Sequence, residues 1–179
     1  TNPAISAWDA PGMVKRISKF PFVVAFAYTD DETNHAADIL LPECTDLEST
    51  QLTRVGGTSF IEALWKHEGF SIRQPMVEPQ HETRDFTDIV TDLAERVGML
   101  GEYNTRINKG NAGVRLFGDG YDFSLDVEKK NSCDEIWDAV CRAASAELTG
   151  GKETDGLDWY KKEGYKVRPF EQSHWYLYN

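Results

Sequence analysis

The sequence predicts an α/β fold, in which helices flank a small open sheet, and this prediction rests on two apolar runs and the turn between them. The first run, Pro21–Ala27, has the continuous apolar character of a strand in a buried parallel sheet. A polar turn over residues 28–33 follows it, and a second short apolar run, Ile39–Leu41, ends at Pro42. Ligands of open α/β sheets bind at the carboxyl ends of the strands, so we expect the turn to be a ligand loop.

Helical patterns occupy much of the remaining sequence, chiefly its second half. Ser132 followed by Glu135 forms a capping box, which predicts that a helix begins at Cys133. Glycines that follow the apolar stripes predict where the helices end. In chain order, the predicted helices are Met13–Lys19, Phe86–Val97, Tyr103–Lys109, Cys133–Leu148 and Gly156–Glu163.

Glycine and proline predict the segments without regular structure. Residues 44–60 are polar and contain a Gly-Gly pair, so we expect an extended loop there and another over the glycine-rich residues 110–120. Two prolines favour an extended conformation for Ile72–Pro79. The pattern of Phe60–Trp65 is compatible with either a helix or a strand.

Composition narrows the class of protein. The 179 residues suffice for one domain with a real core, and 30 acidic against 19 basic side chains give a net charge of −11, which disfavours binding to nucleic acid. The three cysteines, at 44, 133 and 141, are too few and too far apart for a four-thiolate cluster. No apolar run approaches the roughly 18 residues of a membrane helix, and no signal peptide is recognisable. The sequence leaves the cellular location of the protein open.

The turn and the run after it also resemble one protein family. Asp31–Thr33, two spacer residues, the run Ala36–Glu43 and the pair Leu47–Glu48 are similar to the catalytic subunit of molybdopterin oxidoreductases of the dimethyl sulfoxide reductase type. In that family the phrase belongs to the third of four domains, a Rossmann-like layer that helps to hold a molybdopterin guanine dinucleotide. The resemblance therefore implies a partial Rossmann-like open sheet with a mostly helical C-terminal part.

Two further segments carry the resemblance. Thr1–Ser6 is similar to the family's Gly-x-Asn-Pro turn without its glycine, so we expect the chain to be a fragment of a larger multidomain subunit. The extended Ile72–Pro79 followed by a helix ending Asp92–Gly98 matches the family's order of elements. We accordingly expect a cofactor-binding layer over 1–98, truncated at its N-terminus, and a mostly helical extension of the same domain over 99–179, leading to a missing C-terminal domain.

The resemblance indicates which side chains hold the cofactor. Glu32 and Thr33 match the family's motif most closely, and Asp31 matches it less closely. A carboxylate at this place can accept hydrogen bonds from the ring N–H and the amino group of guanine. The resemblance implies that Asn2, Pro3 and Ser6, in the other turn, face the pyranopterin or its diphosphate. Asp38 is expected instead to cap the helical turn that precedes Ile39.

The resemblance also implies an enzyme that this stretch of sequence cannot complete. The metal ligand of the family lies outside the third domain, so no catalytic or metal-binding residue is assigned here, and the sequence has no other recognisable catalytic motif. The implied cofactor carries molybdenum or tungsten, and a 4Fe-4S cluster is expected in the missing part or in a partner subunit. The implied partners are the remainder of the catalytic subunit, an iron–sulfur electron-transfer subunit and, in some members, a membrane-anchor subunit.

Two alternatives stay open on the sequence alone. The wording of the turn is similar to the thiosulfate/polysulfide reductase branch, whereas the Trp- and Tyr-rich carboxyl end is similar to members acting on aromatic or acyl-CoA substrates. The composition is equally compatible with a stand-alone acidic α/β binding or interaction module without redox activity.

Overall fold

The computed structural model describes residues 2–6, 9–56, 67–111 and 113–169. The chain divides into two compact units: unit 1 is Thr1–Ser49 with Met76–Phe86, and unit 2 is Thr50–Pro75 with Thr87–Asn179. Both units contain helices and small sheets, so the predicted α/β class is confirmed. Among the helices of the described ranges, none has the length and apolar character needed to cross a membrane.

Unit 1 contains a pair of parallel strands, β1 (Val24–Ala27) and β2 (Ile39–Pro42), with Val24 opposite Ile39. Two helices precede the strands, α1 (Pro3–Ser6) and α2 (Ala10–Ile17). Helix α2 begins earlier than predicted because the carboxylate of Asp9 accepts a hydrogen bond from the amide of Gly12 and a proline lies in its first turn.

The predicted buried strand over Pro21–Ala27 is wrong in its extent and in its burial. Strand β1 begins only at Val24, and its residues are exposed or half-buried. The amide of Val23, the residue before the strand, donates to Asp38 Oδ2 at 2.8 Å. Asp38 therefore links the starts of the two strands and does not cap the preceding turn.

Unit 2 is larger and has an antiparallel sheet with strand order β3-β4-β7. Its elements are β3 (Gln51–Gly56), β4 (His67–Arg73), α3 (Phe86–Arg96, all but its first residue), α4 (Leu100–Lys109), β5 (Phe117–Gly118), β6 (Tyr121–Asp122), α5 (Cys133–Thr149), α6 (Leu157–Glu163) and β7 (Tyr165–Pro169). Strand β4 lies in the middle and pairs with both neighbours. Its close approach to β7 requires a glycine at position 69, because a Cβ there would be 2.0 Å from the carbonyl oxygen of Lys166.

Helix α5 supplies most of the core of unit 2. Its fully enclosed side chains include Ile136, Val140 and Cys141, and they pack with Phe70 of β4 and Tyr160 of α6. The predicted capping box is present, since Ser132 Oγ accepts from the amide of Glu135 while Glu135 Oε2 accepts from the amide of Ser132. Gly150, with a φ of 64°, ends the helix as predicted.

Other local predictions have different outcomes. The prediction of an extended loop over 44–60 is wrong for Gln51–Gly56, which forms β3, and the predicted loop over 110–120 contains β5 and the turn that leads to β6. Helix α4 begins at Leu100, three residues before the predicted start. The segment Phe60–Trp65 and the aromatic C-terminal residues from 170 onward lie outside the described residues.

Candidate functional site

The acidic turn of unit 1 is shaped by one of its own carboxylates. Asp31 Oδ1 accepts hydrogen bonds from the amides of Thr33 and Asn34, both at 2.9 Å. The carbonyl oxygen of Asp31 accepts at 3.1 Å from the amide of His35, which lies in the 3-10 turn Asn34–Ala36. Asp31 thus engages three successive amides, and this arrangement fixes the backbone on which Glu32 and Thr33 are mounted.

The segment that contains α1 is held by a similar local network. The carbonyl oxygen of Asn2 accepts from the amides of Ile5 and Ser6, at 3.3 and 3.0 Å, and from the hydroxyl of Ser6 at 2.8 Å. The backbone of Asn2 is therefore tied to its own short helix. Its side chain is directed to the acidic turn.

Three hydrogen bonds join these two segments, which lie about thirty residues apart in the chain. Asn2 Nδ2 donates to Glu32 Oε2 at 2.6 Å, and Thr33 Oγ1 donates to Asn2 Oδ1 at 2.6 Å. The amide of Ala4 donates to Thr33 Oγ1 at 3.0 Å. The two motifs singled out in the sequence consequently form one polar cluster, which we call the Asn2–Glu32–Thr33 cluster.

The cluster carries negative charge at neutral pH. The hydrogen bond from its own backbone amide, together with that from Asn2, lowers the pKa of Glu32 below its ordinary value. His35 Nε2 lies 3.1 Å from Asp30 Oδ1 on the exposed side of the same turn. Glu32 is thus held as an acceptor of hydrogen bonds, while the hydroxyl of Thr33 is a donor beside it.

Thr33 also lines an open groove of about 380 Å³ within unit 1. Its other lining residues are apolar: Ile17, Phe20, Phe22, Val23, Val24 and Ala25. Phe20 and Phe22 are 67% and 59% exposed, so their rings offer flat apolar surface beside the polar cluster. A planar heteroaromatic ring suits this combination, because it can lie against phenyl rings while its polar edge reaches donors and acceptors.

The predicted site residues divide by what they contact. Asn2, Glu32 and Thr33 meet directly, whereas Asp31 and Ser6 bind backbone groups of their own segments, and Pro3 is the first residue of α1. The groove is not predicted from the sequence, since the apolar pattern places Phe22 in a buried strand and Phe20 directly before it. The sequence does contain a signal for it: the two phenylalanines flank Pro21, and a proline cannot donate a hydrogen bond to a neighbouring strand, which argues against a buried strand at this point.

A second cavity, of about 440 Å³, lies in unit 2 between α5 and the start of α6. Two of its carboxylates have structural partners: Asp138 Oδ1 accepts from the amide of Leu157 at 2.8 Å, Asp138 Oδ2 accepts from Arg142 at 2.6 Å, and Glu135 caps α5. These contacts account for the cavity as part of the helix packing. Within the described parts of the chain, no three His, Cys, Asp or Glu side chains are grouped as metal ligands would be.

Comparison with known proteins links the chain to reductases. No protein-family model matches it. Over 102 residues it is 33% identical to the thiosulfate reductase molybdopterin-containing subunit of Salmonella typhimurium, 30% to the trimethylamine-N-oxide reductase of Haemophilus influenzae and 29% to the dimethyl sulfoxide/trimethylamine N-oxide reductase of Rhodobacter capsulatus.

Each similarity covers 57% of this chain but only 12% of the relative, so this chain spans a small part of the length of those proteins. The similarities support the predicted relationship with molybdopterin oxidoreductases at the level of the family.

Proposed function

We propose that the Asn2–Glu32–Thr33 cluster and its groove form part of the site that holds a molybdopterin guanine dinucleotide, with molybdenum or tungsten, in the catalytic subunit of an oxidoreductase. The observation that carries the proposal is the direct hydrogen bonding of Glu32 and Thr33 to Asn2. It joins two of the segments whose wording resembles the family. The similarity to a thiosulfate reductase subunit that is named as molybdopterin-containing supports the same class of cofactor.

The donor and acceptor groups of the cluster fit such a ligand. One edge of guanine has a carbonyl, a ring N–H and an amino group. An ionised Glu32 can accept hydrogen bonds from the ring N–H and the amino group, and the hydroxyl of Thr33 can donate to the carbonyl. The groove with Phe20 and Phe22 offers apolar surface to the face of the same ring. These side chains bind and orient the base.

The remaining predicted residues serve this arrangement. Asp31 fixes the turn through the amides of Thr33 and Asn34, so the side chains of Glu32 and Thr33 keep their spacing. Asn2, Pro3 and Ser6 form the opposite side of the site. The amides of Ala4, Ile5 and Ser6 already have acceptors, so contact with the dinucleotide on this side falls to the side chains of Asn2 and Ser6.

We extend the proposal to the whole enzyme in outline. When bound, the cofactor supplies two-electron chemistry with transfer of an oxygen atom or its equivalent at the metal. Electrons would pass through a 4Fe-4S cluster, either in the remainder of the catalytic subunit or in an iron–sulfur partner subunit, with a membrane-anchor subunit as a further partner. Substrates like those named for the relatives, thiosulfate, N-oxides and sulfoxides, are favoured over aromatic or acyl-CoA compounds.

Cofactor retention by purified full-length protein tests the proposal. We expect Glu32→Gln to lower the content of both metal and guanine nucleotide several-fold, since an amide in place of the carboxylate loses the ionised acceptor. Thr33→Val should act likewise by removing the hydroxyl, and Thr33→Ser should restore retention. The measurement is metal analysis together with nucleotide release on acid treatment.

Glu82→Gln is the matched control, because Glu82 is an exposed carboxylate of the same unit outside the cluster. It should retain as much cofactor as the unaltered protein. Unchanged metal and nucleotide content in Glu32→Gln and Thr33→Val would overturn the proposal. A full-length natural protein of only 20.3 kDa that carries no cofactor would favour the binding-module alternative.

A further inference from the structure

The side chain of Asn2 is held at both of its polar atoms. The carboxylate of Glu32 has no hydrogen to give, so the 2.6 Å contact requires the nitrogen of the carboxamide on that side. The hydroxyl of Thr33 accepts from the amide of Ala4 and donates its own hydrogen to the carboxamide oxygen at 2.6 Å. Glu32 and Thr33 therefore act as an acceptor–donor pair that recognises one amide group.

The group that this pair recognises has a close chemical equivalent in a ligand. In a carboxamide, the oxygen and the nitrogen that carries the N–H are bonded to the same sp² carbon. The lactam edge of a guanine or a pterin ring has the same arrangement, a carbonyl oxygen and a ring N–H on one carbon, with both groups directed to the same side. An acceptor–donor pair that fits one of these amide edges fits the other.

We infer that Asn2 is an internal substitute for the ligand: its carboxamide occupies the Glu32–Thr33 pair, and a lactam-bearing ring binds by displacing it. This inference rests on the proposed function and assigns Asn2 a different part in it. Asn2 competes with the base for the pair, and Glu32 and Thr33 form the contact. The ligand class is a fused heteroaromatic ring with a lactam edge.

The surroundings of Asn2 permit this exchange. Glu32 is exposed and its bond to Asn2 lies at the surface, so water replaces the bond as it breaks. The amide of Ala4 bonds to Thr33 independently of the Asn2 side chain, and it keeps the two segments together when that side chain leaves. Thr33 lies on the wall of the groove, which places the pair beside the surface against which a ring would lie.

Competition of this kind predicts an unusual effect of a side-chain truncation. Removing the Asn2 carboxamide should tighten binding. The observed affinity of a ligand is proportional to the fraction of protein whose site is free, and this fraction rises when the competing side chain is removed. A residue that contacts the ligand has the opposite signature. The two roles of Asn2 are therefore distinguishable by the sign of one change.

The test is titration of cofactor-free full-length protein with GMP, IMP and AMP, followed by calorimetry. We expect Asn2→Ala to bind GMP and IMP about threefold or more tighter than the unaltered protein. AMP, which lacks the lactam edge, should bind to neither. Adding Glu32→Gln or Thr33→Val to Asn2→Ala should abolish the gain, and Ile5→Ala, a truncation in the same segment outside the pair, should leave affinity unchanged.

Equal or weaker binding of GMP by Asn2→Ala would overturn the inference, as would equal binding of AMP. If Glu32→Gln and Thr33→Val nevertheless retain less cofactor, the proposed function stands and Asn2 is a contact or a bystander. If these variants also retain full cofactor, both proposals fall. Should Asn2→Ala not fold, the side-chain amide resonances of Asn2 in unaltered protein decide: GMP should shift them away from the carboxylate-bonded position, and unshifted resonances at saturation would overturn the inference.

Discussion

The two units of this chain are ordered by different means. Unit 2 has an enclosed apolar core in which Phe70 and Tyr160 are 0% exposed. Among the described residues of unit 1, the buried apolar side chains are Ala4 and Cys44, while large apolar residues such as Phe20 and Phe22 are exposed. Unit 1 instead owes much of its order to polar side chains that bind backbone groups.

Glu48 illustrates the polar mode of stabilisation. Its Oε2 accepts from the amide of Thr45 at 2.7 Å and its Oε1 from the amide of Gln80 at 2.9 Å, which ties together the two chain segments of unit 1. These two backbone bonds, led by that from Thr45, lower the pKa of Glu48. The proposed site lies in this unit, and ligand-binding loops are generally drawn from the less stable parts of a protein.

The largest expected effect is a difference in the free energy of unfolding between two substitutions, one in each unit. Phe70→Ala should lower the free energy of unfolding by about 3–5 kcal/mol, because it leaves a cavity in the core of unit 2. Phe22→Ala, at an exposed position of unit 1, should change it by no more than about 0.5 kcal/mol. Denaturant unfolding of both variants measures the difference, and similar losses would show that Phe22 is as well packed as Phe70.

An intermediate effect is expected for the link between the starts of β1 and β2. Asp38→Ala removes the acceptor of the Val23 amide and should cost about 1 kcal/mol. Hydrogen exchange should show faster exchange of that amide and of strand β1, with unit 2 unaffected. Asp38→Asn keeps an oxygen acceptor and should behave nearly as the unaltered protein; equal loss in both variants would attribute the effect to charge.

The sequence predicted best those elements whose causes are local. Helix α5 begins and ends where its capping box and Gly150 indicate, because both signals act within a few residues of the helix ends. The sheet of unit 2 was missed because its pairing is remote in sequence. Arg168 of β7 bonds to Glu68 of β4 across 100 residues, a contact that no local pattern in either strand reveals.

The candidate site divides in the same way. The sequence of the turn predicts Glu32 and Thr33 as site residues, and the first residues of the chain predict Asn2. Their mutual hydrogen bonds are visible only in the folded chain. Asp31 stays a predicted contact of the cofactor, and the structure adds that its Oδ1 accepts hydrogen bonds from two backbone amides. Residue type alone does not tell a carboxylate that binds a ligand from one that shapes a turn.

The smallest expected effect tests whether polar contacts in unit 2 are secondary to its core. Lys129 and the amide of Ser132 lower the pKa of Glu135 from 4.5 to about 2. Because the pKa is lower in the folded state, the stabilisation is complete above about pH 5 and is lost as the pH falls toward 2. Glu135 is half exposed, which limits its contribution to about 0.5 kcal/mol.

Glu135→Gln should therefore lower the free energy of unfolding slightly at pH 7, and the difference should vanish as the pH approaches 2. Glu128→Gln, which removes a nearby exposed carboxylate outside the helix cap, controls for the change in net charge. Denaturant unfolding between pH 7 and pH 2 provides the measurement. A loss well above 1 kcal/mol at pH 7 would contradict the difference between the units, because the stability of unit 2 would then depend on polar capping as strongly as that of unit 1.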